Sequence, residues 1–291
     1  MSYDFTFNAS AIGVGGLLTN GSTATAIPSL ASVALAPTGG EGFSEETNYN
    51  RHGVSFTKAE SRVVGQKIAA GTYATYVDVL ISNFAVRGRL KVGMMQASMT
   101  SIRNIHEDDS RFEFRASYRG LSIDDHEVVP ELDLDLLGCS TYDDFRRRLS
   151  AAPADFAKRF GYGTAPALTK ALKSQTRPAI SGTLVKSLSP AGKLKAQTSI
   201  AITGHRILVP DFGSVNLAEF LFKPGRRRVS LVRIDFDERF AAPPAAAPDA
   251  APVAKAFMPL VLQDGGTGGG GGGSLTGGSV EGNGSTIPPR I

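Results

Sequence analysis

Along most of the chain, apolar residues recur at every second position rather than at every third or fourth. Tyr3, Phe5 and Phe7 fall on one side, with Asp4, Thr6 and Asn8 on the other, the period of a strand buried on one face. Small residues and glycines follow from Ala9 to Leu18, then a polar turn from Thr19 to Thr23. A second strand is expected over Ile27 to Leu35, ahead of a loop at Gly39, Gly40 and Gly42. From Val54 the strand signals become dense. Val54-Ser55-Phe56, Tyr73 to Phe84 and Leu90 to Ile105 are rich in β-branched and aromatic residues. Tyr76 to Ile81 is the most apolar stretch and is expected at the centre of a sheet. Phe112 to Tyr118 alternates cleanly. Val128 to Leu136 predicts a further strand, in which Pro130 points to an edge or a bulge.

The pattern then changes. Thr141 is placed to cap a helix running through Asp143, Asp144, Phe145 and Leu149, its early acids and later arginines suiting the helix dipole. Pro153 stands at a first helical position before a segment that ends at Gly161. These helices form an insertion over about 140–173. Strands resume at Ile180 to Leu188, Leu194 to Thr203 and Arg206 to Pro210. Val215 to Phe222 and Val229 to Phe236 read as a hairpin turned by Lys223-Pro224-Gly225-Arg226. The spacing of turns and the scarcity of helical periodicity predict a mainly β fold: an antiparallel β-sandwich over residues 1–240 with a small helical insertion.

The remainder is an extended tail. Residues 241–256 are almost all Ala and Pro, a semi-rigid linker. An apolar island follows, with Phe257, Met258, Leu260, Val261 and Leu262, then a glycine tract from Gly265 to Gly273. The segment 257–291 ends with Val280, Thr286 and Ile287 among further glycines. Left in water, the island is aggregation-prone, so it is expected to dock. Its host is the chain's own body or a neighbouring subunit, and Ser274 to Ile287 is suited to add a strand there.

Composition changes this picture little. The 291 residues allow one large or two modest domains, and 42% apolar content is ordinary for a globular protein. Net charge is +4 with both signs interspersed, which is not the concentrated footprint of a nucleic-acid binder. Cys139 stands alone, so no internal disulfide or paired-thiol metal site is expected. The N-terminus has no basic segment leading into an apolar run, and no apolar stretch is long enough to cross a membrane as a helix. The expected location is cytoplasmic, or outside the cell by a non-classical route.

Candidate chemistry is sparse. Gly13-Val14-Gly15-Gly16 lacks the spacing of a dinucleotide loop, so no cofactor is expected. His106, Asp108 and Asp109, and Asp124, Asp125 and His126, are possible metal ligands. They fall at successive turns, about 30 Å apart at opposite ends of one strand, and turn chemistry accounts for both. Cys139 ahead of a helix is the best nucleophile, and paired carboxylates are an alternative, but no local catalytic signature accompanies either. The absence of Trp weakens a sugar-binding reading. Arg226, Arg227 and Arg228 are candidates for guarding a β edge or meeting an acidic partner.

The segments Ala9 to Gly16, Ser29 to Leu35, Thr75 to Val86 and Ser117 to Ile123 resemble a loose group of bacterial β-rich proteins of unassigned function, including those labelled choice-of-anchor P. The resemblance touches the first half of the chain, implies an extracellular or structural role and brings no catalytic residues. The expected function is therefore a non-catalytic, self-assembling structural protein, a fibre, sheath or coat subunit joined by strand or tail exchange into homo-oligomers or polymers. The alternatives are a binding module for a glycan or a protein, and an enzyme using carboxylates or Cys139.

Overall fold

A computed structural model describes residues 4–20, 23–107, 110–137, 141–160, 164–173, 179–189, 200–203, 206–223, 226–236 and 273–287. The chain begins with five long strands: β1 (Asp4–Asn20), β2 (Thr23–Ala34), β3 (Gly40–Arg51), β4 (Val54–Ala69) and β5 (Thr72–Val86). It continues through β6 (Leu90–Asn104), β7 (Arg111–Ile123), β8 (His126–Glu127) and β9 (Val129–Leu132) to four helices, α1 (Leu134–Leu137), α2 (Tyr142–Ala151), α3 (Pro153–Arg159) and α4 (Ala165–Leu172). Strands β10 (Ile180–Thr183), β11 (Val185–Ser189), β12 (Ala201–Thr203), β13 (Arg206–Val209), β14 (Gly213–Lys223), β15 (Arg226–Asp235) and β16 (Ser274–Ile287) complete it.

These strands form an antiparallel β-sandwich. One layer is a six-stranded meander in chain order, β3 to β8. Its hairpins turn on residues with positive φ, such as His52 with Gly53 and Asp124 with Asp125, the backbone that a two-residue turn needs. The other layer is eight-stranded, in the order β12-β13-β14-β15-β16-β1-β2, with β10 also paired to β14. Between the layers lie Val77, Val79 and Ile81 of β5 and Met95, Ala97 and Met99 of β6, against Ala9, Ala11, Leu275 and Val280. Gly65 has no side chain because Leu35 Cδ2 and the Phe7 ring fill its place, at 2.4 and 2.7 Å from where a Cβ would stand.

The meander does not reach across the whole larger sheet. The helical insertion covers part of the rest. Phe145 lies 4.2 Å from Phe222 and 5.8 Å from Phe220, ring centre to ring centre, and Phe160 lies 5.3 Å from Phe220. Thr141 caps α2 by accepting from the Asp144 N–H, and Pro153 opens α3, as the sequence predicts. Beneath the cap, Asp133 is buried and paired with Arg159 at 3.0 Å, while Thr183 Oγ donates to the Leu217 carbonyl at 2.8 Å. This polar seam ties β9, α3, β10 and β14 together.

Several expectations need correction. Strand β3 was not foreseen, and β1 runs on through the small residues and glycines of 9–18 to Asn20, inside the expected turn. Leu134–Leu137 is a helical turn rather than the end of a strand. Ile180 to Leu188 divides between two sheets, β10 pairing with β14 and β11 with β9. The body is not closed at residue 240, because Ser274–Ile287 lies inside the larger sheet. Among the described residues, no helix is long and apolar enough to cross a membrane.

Candidate assembly site

Strand β16 reaches its place from a distance in sequence. Strand β15 ends at Asp235, which pairs with Ser274. The Phe236 N–H donates to the Gly273 carbonyl at 2.9 Å. Residues 236 and 273 are thus neighbours in space although 36 positions lie between them in sequence. From there β16 runs between two neighbours. It pairs with β15 from Asp235↔Ser274 to Arg226↔Asn283, and with β1 from Gly16↔Leu275 to Asp4↔Ile287. Both backbone edges of this interior strand are engaged.

Its side chains are described from Ser274 to Gly282. Leu275 and Val280 are the fully buried apolar anchors. At Gly277 an added Cβ would stand 3.0 Å from Met95 Cε and 3.4 Å from the Phe84 ring, and at Gly282 it would stand 3.2 Å from Met99 Cε. Gly278 has φ +65° and would place a Cβ 2.6 Å from Leu231 Cδ1, so both conformation and space call for glycine there. The strand is thus held mainly by its two ladders, and its glycines let the opposing methionines close onto its backbone.

The three arginines lie on β15, beside this strand. That strand has β14 on one side and β16 on the other, so they do not guard a sheet edge. Period two separates them. Arg226 is ion-paired with Glu281 of β16 on the outer face. Arg227 points inward and is 1% exposed, its guanidinium 3.5 Å from the centre of the Phe112 ring and 3.7 Å from that of Phe222. It joins the meander to the larger sheet through two cation–π stacks. Further along, Arg233 meets Glu219 at 2.5 and 2.9 Å and also pairs with Asp235. Burial lowers the Arg233 pKa, but the bonds and charge of Glu219 and Asp235 outweigh this and hold it above the ordinary value. Tyr118 spans the layers, donating to the Leu231 carbonyl at 2.5 Å, and burial pushes its pKa up.

The apolar island Phe257, Met258, Leu260, Val261 and Leu262 lies outside the described residues, as do Cys139, Asp108, Asp109 and His205. His106 is exposed, and its N–H donates to the Asn104 side chain at 3.0 Å. His106 and the turn of Asp124, Asp125 and His126 fall at opposite ends of β7. Asp124 receives two bonds from Arg89, at 2.7 and 2.6 Å, and Asp125 pairs with Lys91 at 2.6 Å. Lys91 lowers the Asp125 pKa through this bond and its charge. Arg89 also reaches the Pro210 carbonyl, so this turn clamps one layer to the other. Among the described residues, no group of three or more His, Cys, Asp or Glu side chains is placed to hold a metal. Sequence reasoning missed the inward turn of Arg227, although its alternation with Val229 and Leu231 carried that signal.

Comparison with known proteins yields a family match. Residues 5–223 fit the model of a domain of unknown function, DUF8256. The matched stretch ends with β14, so β15 and β16 lie beyond it. No curated protein and no solved structure matches the chain.

Proposed function

The chain belongs to the DUF8256 family, whose description states no activity, and we propose from the geometry that it is a self-assembling structural subunit whose strand β16 is exchanged between copies. The observation that carries this reading is the position of β16: an interior strand, paired on both edges, reached through residues 237–272 and, among its described side chains, anchored by Leu275 and Val280. Adding a strand to a sheet is an established way to join polypeptides. The slot between β1 and β15 accepts the same strand from its own chain or from another copy, because the ladder is identical in both cases.

Reach does not oppose exchange. An extended Ala/Pro segment spans about 3.1 Å per residue, so residues 241–256 alone extend on the order of 50 Å. A folded chain of this length has a radius of gyration of about 19 Å. Tethering favours the intramolecular arrangement at an effective concentration of about millimolar. Exchange is therefore expected at high local concentration, and a head-to-tail pattern gives open polymers.

Ser230 and Ser279 face each other across β15 and β16, their hydroxyl oxygens 3.3 Å apart. In a Cys139→Ser background, Ser230→Cys with Ser279→Cys is suited to a disulfide that holds β16 in its own chain. Light scattering and electron microscopy should show concentration-dependent oligomers for the reduced protein and monomers for a sample oxidised while dilute. Reduced protein that stays monomeric at high concentration, or oligomers indifferent to the lock, would overturn the reading.

A further inference from the structure

The outer face of the meander carries a feature that assembly does not use. Two adjacent rows cross strands β5, β6 and β7. One row is Tyr76, Thr100 and Glu113, and the next is Asp78, Ser98 and Arg115. The six side chains line a shallow cleft of about 270 Å³. Among the described residues, none of them makes a side-chain hydrogen bond or ion pair with another. Beside them on β4, Arg62 is held by Glu41, its Nε 2.8 Å from the carboxylate. Beyond Arg62 in the same row stands Phe43 on β3, 58% exposed. The Asp78 carboxyl is pushed up from its ordinary value by the crowding that removes water from it, with Arg62 opposing.

We propose that this cleft binds a neutral glycan, laid across β5, β6 and β7 with Tyr76 beneath it. The lining dictates the chemistry of the occupant. The Asp78 and Glu113 carboxylates, when ionised, only accept, the Arg115 guanidinium only donates, and Ser98, Thr100 and Tyr76 do both. Neighbouring strands are about 4.8 Å apart, so a ligand spanning them meets acceptors and donors in close succession. Sugar hydroxyls each donate and accept, which satisfies all six groups at once. An anionic ligand meets the Asp78 and Glu113 carboxylates. A cationic one meets Arg115 and Arg62. Both charge classes are therefore opposed, and an uncharged polyol is not. The Tyr76 and Phe43 rings offer the apolar surface that a sugar's C–H face requires, in a chain without Trp.

The test is titration of the full-length protein with maltohexaose, cellohexaose, xylohexaose, mannohexaose and chitohexaose to millimolar concentration, followed by calorimetry and tyrosine fluorescence. At least one is expected to bind saturably. Asp78→Ala or Tyr76→Ala should weaken that binding about tenfold, the equivalent of about 1.4 kcal/mol, without shifting the thermal melt. Arg147→Ala, on the exposed side of the helical cap, should leave it unchanged. Failure of all five sugars to bind, or binding that survives Asp78→Ala combined with Arg115→Ala, overturns the proposal. Capture of a protein ligand by this face without any sugar binding overturns it equally.

Discussion

In the meander of β3 to β8, every strand pairs with the next strand in sequence. In the larger sheet, Asp4 pairs with Ile287, and β15 reaches β1 only through β16. The two layers share one core but are specified at different ranges. Short hairpins cost little chain entropy, whereas joining the two ends of the chain closes a loop of nearly its full length. Apolar content follows the same division. Central strand β5 buries Val77, Val79, Ile81, Phe84 and Val86 in succession, while β16 buries Leu275 and Val280 among glycines. One layer is secured by side chains on consecutive strands. The other is completed by a glycine-rich strand from far along the chain, and that is the strand whose exchange is proposed.

The largest break in this comparison comes from deleting Ser274–Ile287. That removal leaves β1 and β15 with unpaired inner edges and Met95, Met99 and Phe84 without their cover. The deletion should cost several kcal/mol from Leu275 and Val280 alone, at about 1.5–3 kcal/mol for each buried side chain. Hydrogen exchange should show β1 and β15 losing protection while β4 to β6 keep theirs. A synthetic peptide of residues 274–287 should restore it. Equal loss in both layers would mean that the meander is no more autonomous than its partner. For the same reason residues 241–291 are not a dispensable tail, and a truncated chain is not expected to remain an intact folded monomer.

A smaller effect sharpens the comparison from the other side. Phe84 is 1% exposed and packs beneath Gly277, so Phe84→Ala should cost about 3–5 kcal/mol in a denaturant melt. Gly278→Val strains a positive φ and crowds Leu231, with an expected cost of about 1–3 kcal/mol. In the exchange reading, Gly278→Val loosens β16 and raises the rate of subunit mixing, whereas Phe84→Ala lowers the stability of monomer and oligomer together. Labelled copies mixed and followed by energy transfer separate the two.

Arg227→Ala should act on the joint between the layers. Its guanidinium stacks on Phe112 of one sheet and Phe222 of the other, and a desolvated cation–π contact is worth about 2 kcal/mol. A loss of about 2–4 kcal/mol is expected, with Arg227→Lys recovering only part, because an ammonium lacks the planar surface that lies between two rings. Full recovery by Lys would mean that charge alone matters at this position.

The sequence made the meander easier to read than its partner, and the reason is physical. Strands β5 and β6 are long, apolar and alternating, and their partners are their neighbours. Edge strand β3 escaped detection because Gly40–Arg51 buries only Tyr49 and carries Glu41, Glu45 and Glu46, the charges that keep a free edge from pairing. The Leu134–Leu137 run has no period that separates a buried strand from a helical turn. Strand β16 could be foreseen as a strand, but its place could not, since glycine-rich segments specify register weakly. The cleft was unreadable for another reason. It joins Tyr76, Asp78, Ser98, Thr100, Glu113 and Arg115 through the registers of two hairpins, and no linear motif contains that arrangement.

The smallest predicted effect concerns the helical cap, which belongs to neither sheet yet covers Phe220 and Phe222. Thr141 Oγ accepts from the Asp144 N–H at 3.1 Å, and the Thr141 carbonyl accepts from the Phe145 N–H. Thr141→Ala removes the first bond and keeps the second, for a cost of about 1 kcal/mol. Phe145 stays seated because its ring is held by Phe222, Phe220 and Phe160. The expected signature is faster hydrogen exchange at the start of α2, a melting temperature lower by about 2–4 °C, and unchanged protection in β16. Thr141→Ser should restore the cap, since its hydroxyl accepts in the same way. A melting temperature lower by twice that amount, with β16 opening at the same time, would mean that the cap and the larger sheet unfold as one unit, and the division into a locally built layer and an end-closed layer would then have to include the helices.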